Sequence, residues 1–207
     1  GIQWKIIQKN SVIQGLLGYK NLEKREFIES DTLYRIWSMT KPIVSLAAMQ
    51  FVENKKLNLN DPITYYLPEF SNLKVLKNLN SKIEDVVDLK EQPTIKNLLL
   101  HTAGFSYNFL PDPVGFEYDR INLFGSFSST LEEEIKLLSD LPLLFQPSTR
   151  WCYSVSTDVL GRILEVITGT PLQQILNEQI FIPLEMNKTG FSVSDANTRL
   201  LMNSYEF

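Results

Sequence analysis

At 207 residues and 43% hydrophobic content, the chain is long enough to bury a large core, either as one domain or as a pair of closely packed layers. The net charge of −4 and the scattered lysines give no basis for a nucleic-acid or anionic-membrane partner. The sequence contains no apolar stretch of membrane-spanning length and no charged-then-apolar signal pattern. The single cysteine, Cys152, excludes an intramolecular disulfide and a cysteine-based zinc site, and it leaves the compartment open between cytoplasmic and periplasmic.

The first part of the chain has strand patterns. Alternation in Ile2–Ile7 and a second strand pattern in Val12–Tyr19, joined by a turn at Lys9–Ser11, predict a β-hairpin. Leu33–Ile36 is predicted to be a third extended segment. Because so few strands do not readily make an independent sheet, we expect strands from beyond the C-terminus, from another chain or from a dimer mate to complete it. The start at Gly1, directly on a strand pattern, predicts that an upstream segment has been removed.

Helical patterns dominate the remainder. Between Ile43 and Val52 only Ser45 and Gln50 are polar, which predicts a helix buried nearly all round in the middle of the fold. Caps and periodicity predict four further helices: Thr94 to Leu100 with Gly104 as its C-terminal glycine, Thr130 to about Leu141, Thr157 to Thr168 ended by Gly169, and Thr170 to Ile180.

Two segments lack such patterns. Ser71–Gln92 is rich in Lys, Asn and Asp, and we expect it on the surface. Tyr107–Ser129 is rich in Phe, Gly and Pro without a helical or strand period, which is typical of a functional loop.

Ser38 and Lys41 precede the apolar helix and are three residues apart, so a helical turn would place them on one face. Pro42 is tolerated near a helix start, which puts the first turn at Ser38. A lysine in an apolar setting can have a lowered pKa and help to take the proton of a serine nucleophile. The N–H groups of the first turn suit an oxyanion. The spacing alone is a weak signal, and the apolar helix behind it favours the catalytic interpretation.

Other nucleophile systems have less support. His101 is the only histidine and would have to serve any Ser-His-Asp triad, yet it sits at a predicted helix end in a turn context. The sequence has no G-x-S-x-G motif, which argues against an α/β-hydrolase. Cys152 is interpreted as a packed side chain, and no metal or cofactor is expected.

Several separated stretches resemble the serine β-lactamase and penicillin-binding-protein superfamily, in particular its class C β-lactamase-like esterases, the family VIII carboxylesterases. They cover nearly the whole chain in family order: Tyr34-Arg35-Ile36-Trp37-Ser38-Met39-Thr40-Lys41-Pro42, Leu98-Leu99-Leu100-His101-Thr102-Ala103-Gly104-Phe105, Phe145-Gln146-Pro147-Ser148-Thr149-Arg150-Trp151-Cys152-Tyr153-Ser154, Asp158-Val159-Leu160-Gly161-Arg162, and Pro183-Leu184-Glu185-Met186 with Thr189-Gly190-Phe191.

The resemblance implies an α+β, β-lactamase-like fold, with an antiparallel sheet flanked by helices and a helical domain, and with C-terminal sheet strands missing from this chain. It divides the chain into sheet strands at 1–37 and a helical region at 38–207. It further implies that Ser38 is the acylated nucleophile, and that Lys41 and Tyr153 move the proton. A phenol beside an ammonium has its phenolate favoured, so this role is chemically sensible.

Two departures from the family bear on activity. Val155 stands where class C β-lactamases have the asparagine of Tyr-x-Asn, and valine cannot donate that amide hydrogen bond, which favours esters over β-lactams. The family's third motif has no match, since Lys188-Thr189-Gly190 lies in a stretch that resembles a structural part of the family. Loss of the oxyanion donor supplied by that motif costs on the order of 10²–10³ in rate, so a fragment ending here is expected to be feeble.

The sequence therefore predicts a serine hydrolase that acts through an acyl-enzyme on short acyl esters, with a small-molecule ester or β-lactam as its partner. The alternatives are weak β-lactamase or D-alanyl carboxypeptidase activity, or a non-catalytic fragment or scaffold of this fold. An aromatic group in the long loop is predicted either to form a substrate wall or to be a small core beneath the loop. Its members are Phe105, Tyr107, Phe109, Phe116, Tyr118, Phe124 and Phe127.

Overall fold

The first two strands of the computed structural model form the predicted β-hairpin. The structure describes residues 1–9, 11–126 and 128–205. β1 (Ile2–Gln8) pairs antiparallel with β2 (Ser11–Leu17), with Ile2 opposite Leu17 and Gln8 opposite Ser11. The predicted hairpin is thus confirmed, although Asn10 of its turn lies outside the described residues. Ile6 and Ile7 are 57% and 68% exposed, so both hairpin faces present apolar side chains to solvent within the described residues.

The hairpin belongs to the first of two units, which comprises Gly1–Thr40 and Glu185–Phe207. A second antiparallel pair follows in it, β3 (Tyr19–Asn21) with β4 (Glu26–Phe27). The predicted extended segment at Leu33–Ile36 is reduced to a single parallel bridge, in which the Leu33 N–H donates to the Leu200 carbonyl at 2.8 Å. The second residue of that bridge, Leu201, directly follows a 3₁₀ turn, Asp195–Leu200.

The second unit, Lys41–Leu184, is organised around α5 (Ser156–Thr168). This helix packs against three others, α2 (Ile95–Leu99), α4 (Leu131–Ser139) and α6 (Leu172–Leu176), and buries Val159, Leu160, Ile163 and Leu164. Gly161 allows α6 to approach, because a Cβ there would lie 2.9 Å from Leu172. As predicted, α5 ends at Gly169, which adopts φ +69°.

The apolar helix after Ser38 is less buried than predicted. It runs as α1 (Thr40–Glu53) and buries Val44, Ala47, Ala48 and Phe51. Leu46 and Met49 are 49% and 43% exposed, so the expectation of burial nearly all round is wrong. Within the described residues, α1 has one apolar face in the core and one facing solvent.

The two segments interpreted as lacking structure both contain regular elements. Residues 107–129 include α3 (Pro113–Arg120), which Asp112 caps by accepting the Val114 and Gly115 N–H groups. An Asp-Pro helix start signals such a cap. Ser71–Gln92 contains the antiparallel pair β5 (Lys74–Leu76) and β6 (Val86–Asp88), and Val75 and Leu76 are buried. The prediction that this segment lies wholly on the surface is therefore wrong.

The end of α2 also differs from prediction. Thr94 forms the expected N-terminal cap, but the left-handed residue directly after the helix is His101, at φ +55°, in place of Gly104. Gly104 adopts φ +98° for another reason, because a Cβ there would lie 2.4 Å from the Phe145 carbonyl oxygen. His101 thereby turns its side chain and main chain toward the segment at 151–154, where its contacts lie.

No helix among the described residues has the length and apolar character needed to cross a membrane.

Later in the chain, α6 passes directly into a π-helical stretch, Asn177–Phe181. The predicted helix through Ile180 is therefore continuous but changes its hydrogen-bonding pattern.

Candidate active site

Lys41 is held between two tyrosines in the second unit. Its Nζ donates a hydrogen bond to the Tyr107 hydroxyl at 3.0 Å and lies 5.0 Å from the centre of that ring. The same nitrogen lies 4.7 Å from the ring centre of Tyr153, whose side chain also hydrogen-bonds to it. One ammonium is therefore shared by two phenols, and both rings face it closely enough for cation–π attraction.

Hydrogen bonds on both sides position Tyr153. Before it, the Cys152 N–H donates to the His101 carbonyl at 2.9 Å; after it, the Val155 N–H donates to the Ser106 carbonyl at 3.1 Å. The chain then enters α5 at Ser156. The segment carrying Tyr153 is thus anchored to the stretch after α2 and to the start of α5, both parts of the buried core.

Five rings form a continuous series around Lys41, which we call the aromatic row: Phe109, Tyr107, Tyr153, His101 and Trp151. Successive ring centres are 4.7, 5.4, 5.1 and 6.4 Å apart; the first two pairs are stacked, the third is tilted and the last is edge-on. The ends of the row, Phe109 and Trp151, are 66% and 67% exposed. The row therefore connects the two central tyrosines to solvent-accessible aromatic surface.

The surroundings of Lys41 raise its pKa. Desolvation by burial acts in the lowering direction and is the largest single influence, but the hydrogen bonds to Tyr107 and Tyr153 and the charge of Asp158 together outweigh it. The expectation that an apolar setting lowers the pKa of Lys41 is therefore wrong. The raised pKa favours the ammonium form of Lys41, which donates to the Tyr107 hydroxyl in this arrangement.

Asp158 adds a carboxyl group to the site that sequence reasoning missed. It lies in the first turn of α5, where burial raises its pKa to about 6, with the charge of Lys41 and its own backbone N–H acting in the opposite direction. Its charge in turn raises the pKa values of Lys41 and Tyr107. The sequence carries no clear signal for this position, because an Asp in the first turn of a helix is favoured by the helix dipole in any case.

Ser38 lies in the first unit, in a 3₁₀ turn, Trp37–Met39, that leads directly into α1. It is exposed, and it precedes Lys41 by three residues. Trp37 before it adopts φ +45°, a conformation that is unfavourable for a bulky side chain. Backbone strain of this kind is concentrated at functional sites, which makes the turn a candidate for one.

The predicted aromatic wall divides into buried and exposed members. Phe105 is 1% exposed and packs edge-on against Phe70, with ring centres 5.8 Å apart, and Tyr118 is fully buried. Tyr107 and Phe109 join the aromatic row. Phe124 is half-buried in a separate loop, where its N–H donates to Glu134 at 2.6 Å. Phe127 lies outside the described residues.

The Lys188-Thr189-Gly190 stretch lies in a turn, where the Thr189 N–H donates to the Met186 carbonyl at 3.0 Å. The stretch thus stays a predicted structural part of the family, and it is not assigned to the third motif.

No group of three or more His, Cys, Asp or Glu side chains that could hold a metal ion occurs in the described part of the chain.

Comparison with known proteins places the chain among proteins of one fold. The Beta-lactamase family model matches residues 1–206. Esterase EstB of Burkholderia gladioli is 36% identical over 177 residues, which cover 84% of this chain and 42% of EstB. An uncharacterized protein of Mycobacterium tuberculosis is 36% identical over 197 residues, covering 94% of this chain and 47% of that protein.

Solved structures agree with the sequence matches. EstCE1, described as a hydrolase with promiscuous acyltransferase activity, superposes with a TM-score of 0.76 at 31% identity, covering 94% of this chain and 48% of EstCE1. This chain thus spans about half the length of the relatives it matches. The α+β, β-lactamase-like fold and the resemblance to the esterase branch are confirmed. The chain belongs to the Beta-lactamase family.

Proposed function

We propose that the protein is a serine hydrolase that forms an acyl-enzyme at Ser38 and acts on short acyl esters. The observation that carries this proposal is the placement of Lys41 between Tyr107 and Tyr153, 3.0 Å from one phenol and 4.7 Å from the ring of the other. An ammonium beside a phenol favours the phenolate, which is the form that can accept a proton from a serine.

The proposed reaction has two halves. The Ser38 Oγ attacks the ester carbonyl carbon while its proton passes to Tyr153, and the tetrahedral intermediate then breaks its bond to the alcohol oxygen, which takes that proton. Water next attacks the acyl-enzyme, gives a proton to Tyr153, and releases the carboxylic acid as Ser38 recovers its proton. Lys41 remains an ammonium throughout and stabilises the negative charge that Tyr153 carries between transfers.

Esters are the preferred substrate class over β-lactams. The Val155 side chain is 1% exposed and its N–H is already bonded to the Ser106 carbonyl. This position therefore offers neither an amide side chain nor a spare backbone donor to a β-lactam. The similarity to EstB and EstCE1 supports the same preference.

Transfer of the acyl group to an alcohol other than water is a second candidate activity. EstCE1 is a hydrolase with promiscuous acyltransferase activity, and it is 31% identical to this chain. The exposed ring of Phe109, stacked on Tyr107, offers a surface on which an apolar acceptor could compete with water.

Acylation can be tested directly with a fluorophosphonate probe and with short-chain p-nitrophenyl esters. Intact mass and peptide mapping should locate one adduct on Ser38, and Ser38→Ala should lose it. Ser45→Ala, which removes a half-buried serine of α1, is the matched control and should retain it. An adduct elsewhere, or none in protein shown to be folded, would contradict the proposal and favour a non-catalytic fragment.

Substrate class is decided by comparing rates on p-nitrophenyl esters, nitrocefin and a D-Ala-D-Ala peptide under the same conditions. Ester turnover that exceeds the other two and disappears in Ser38→Ala supports the proposal. Faster hydrolysis of nitrocefin or of the peptide would replace it with one of the rival activities. Adding an alcohol and measuring the new ester separates transfer from hydrolysis.

A further inference from the structure

His101 contacts Tyr153 and the residues on either side of it through three different parts of the histidine. Its main-chain carbonyl accepts the Cys152 N–H at 2.9 Å, and its Nδ1 accepts the Ser154 N–H at 3.2 Å. Its ring lies 5.1 Å from the Tyr153 ring at an interplanar angle of 40°. The one histidine of the chain therefore brackets the tyrosine of the proposed proton-transfer pair.

These contacts define the protonation state of the ring. A backbone N–H can only donate, so the Nδ1 that receives the Ser154 N–H must present a lone pair and carry no proton. A neutral imidazole with a free Nδ1 has its proton on Nε2. The Ser154 hydroxyl lies 3.1 Å from the same nitrogen. It does not need that nitrogen as a partner, because the Ser156 hydroxyl lies 2.7 Å away.

The surroundings favour the neutral ring. Burial lowers the pKa of His101, and the positive charge of Lys41 on α1 lowers it further. Tyr153 is the titratable group in ring contact with His101. Two further titratable groups, Tyr107 and the α5 residue Asp158, raise the pKa of Lys41. The left-handed backbone of His101 directs both its carbonyl and its ring to the same segment.

We propose that His101 is a positioning residue for Tyr153 and works only as the neutral imidazole with its proton on Nε2. Protonation places an N–H on Nδ1, directly opposite the Ser154 N–H, and the hydrogen bond is lost. The Ser154 N–H then has no acceptor on His101, and the Nδ1–H can turn only to the Ser154 hydroxyl, 3.1 Å away. This exchange of partners shifts the segment, and Tyr153 loses its fixed position beside Lys41. His101 takes no proton from the substrate or from Ser38, so this role differs from that of a triad histidine.

The effect on activity rests on the proposed function, whereas the hydrogen bond from the Ser154 N–H to His101 does not. The first test therefore measures the hydrogen bond without measuring activity. Because the chain has one histidine, a two-bond ¹H–¹⁵N spectrum of ¹⁵N-labelled protein contains one imidazole pattern. At neutral pH we expect the Nε2–H tautomer with an unprotonated Nδ1. On acidification through the imidazole titration, the protection of the Ser154 amide, measured against an unstructured amide at the same pH, should fall. An Nδ1–H tautomer, or an unchanged protection of the Ser154 amide across that titration, would overturn the proposal whether or not the protein turns over any ester.

Two variants separate the acceptor from the ring. His101→Asn keeps a side-chain acceptor, tolerates a left-handed backbone and cannot be protonated. His101→Phe keeps an aromatic ring and has no acceptor. The protection of the Ser154 amide, measured against an unstructured amide at the same pH, should persist at acid pH in His101→Asn and be lost at every pH in His101→Phe. In His101→Phe the acylation rate should fall about 10-fold, as for one lost hydrogen bond.

The acid side of the acylation pH profile provides the kinetic readout. It should flatten in His101→Asn and persist in Asp158→Asn, which removes a second group near the site that titrates in this range. Ser154→Ala keeps the backbone N–H and should leave the imidazole tautomer unchanged. If the acid limb disappears in Asp158→Asn and stays unchanged in His101→Asn, the proposed effect of His101 on activity is overturned.

Discussion

The Nζ of Lys41 donates to the Tyr107 hydroxyl at 3.0 Å, so the lysine of the Ser-x-x-Lys motif is bound by a tyrosine from the stretch after α2 as well as by Tyr153. Two hydrogen bonds to phenols offset the cost of burying the ammonium and raise the pKa of Lys41. Tyr107 is therefore part of the lysine's environment, in addition to its predicted place in a substrate wall.

Tyr107→Phe should lower the pKa of Lys41, because it removes a hydrogen bond that favours the charged form. If the ammonium is required, the alkaline limb of the ester-hydrolysis profile moves to lower pH. Loss of a hydrogen bond to a charged group, worth about 1.5–3 kcal/mol, should reduce kcat/KM by at least about 10-fold. The pH dependence of p-nitrophenyl ester hydrolysis measures both effects. Tyr65→Phe, at a 77% exposed tyrosine, is the control and should leave the profile unchanged.

Asp158→Asn should change how stability depends on pH. The pKa of Asp158 is raised from 3.8 to about 6 in the folded protein, so the unfolded state loses its proton first as the pH rises. The resulting destabilisation develops between those two values and is constant above them. Relative to the native protein, Asp158→Asn should therefore gain stability from pH 4 to pH 6, by at most about 3 kcal/mol, since one pKa unit corresponds to about 1.4 kcal/mol.

Urea unfolding at pH 4, 5, 6 and 7 measures this difference. Asp119→Asn removes a carboxylate from an exposed position and controls for the simple loss of one charge. If the difference in unfolding free energy between Asp158→Asn and the native protein stays constant with pH, burial does not raise the pKa of the Asp158 carboxyl.

Phe109→Ala tests whether the exposed end of the aromatic row binds substrate. The ring stacks on Tyr107 at 4.7 Å and is 66% exposed. An aromatic stacking contact of about 1 kcal/mol corresponds to a rise in KM of about fivefold for esters with an aromatic or long acyl group. Acetate esters, whose acyl group offers little apolar surface to a ring, should be affected less. Phe191→Ala removes an exposed ring that is not part of the predicted wall, and an equal effect of the two changes would argue against a specific site.

Glu134→Ala should destabilise the loop before α4. Glu134 is 6% exposed and accepts hydrogen bonds from the Phe124 N–H, at 2.6 Å, and from the Ser129 hydroxyl. Removing it takes the acceptor from the Phe124 N–H and leaves the Ser129 hydroxyl with the Ser126 carbonyl at 3.3 Å, at a cost of about 1–3 kcal/mol. Thermal unfolding should show a lower Tm, with a smaller decrease for Glu134→Gln, which retains an acceptor oxygen.

The matched control is Glu132→Ala. The Glu132 side chain is 67% exposed and lies 2.8 Å from Arg162, and an exposed ion pair of this kind contributes at most about 1 kcal/mol. If the two alanine variants unfold at the same temperature, the buried hydrogen bonds of Glu134 do not stabilise the loop.

Local signals in the sequence predicted most of the regular elements. The hairpin alternation, the Thr94 and Thr130 caps and the Gly169 terminus all correspond to observed structure. These signals succeed because strand alternation, side-chain capping and left-handed glycine act over a few residues. The same reasoning overlooked α3, since the aromatic and glycine content of the loop concealed the Asp112 cap.

The sequence by itself determined the reactive residue types, the three-residue spacing of Ser38 and Lys41, and the motif order that identifies the family. Only the tertiary structure decided that Tyr107, Asp158 and His101 surround Lys41 and Tyr153. These residues come from three separated segments, at 41, 101–107 and 153–158, so no local pattern records that the segments meet. The sign of the Lys41 pKa shift follows from that proximity, because burial and hydrogen bonding act in opposite directions and only the three-dimensional arrangement determines which is larger.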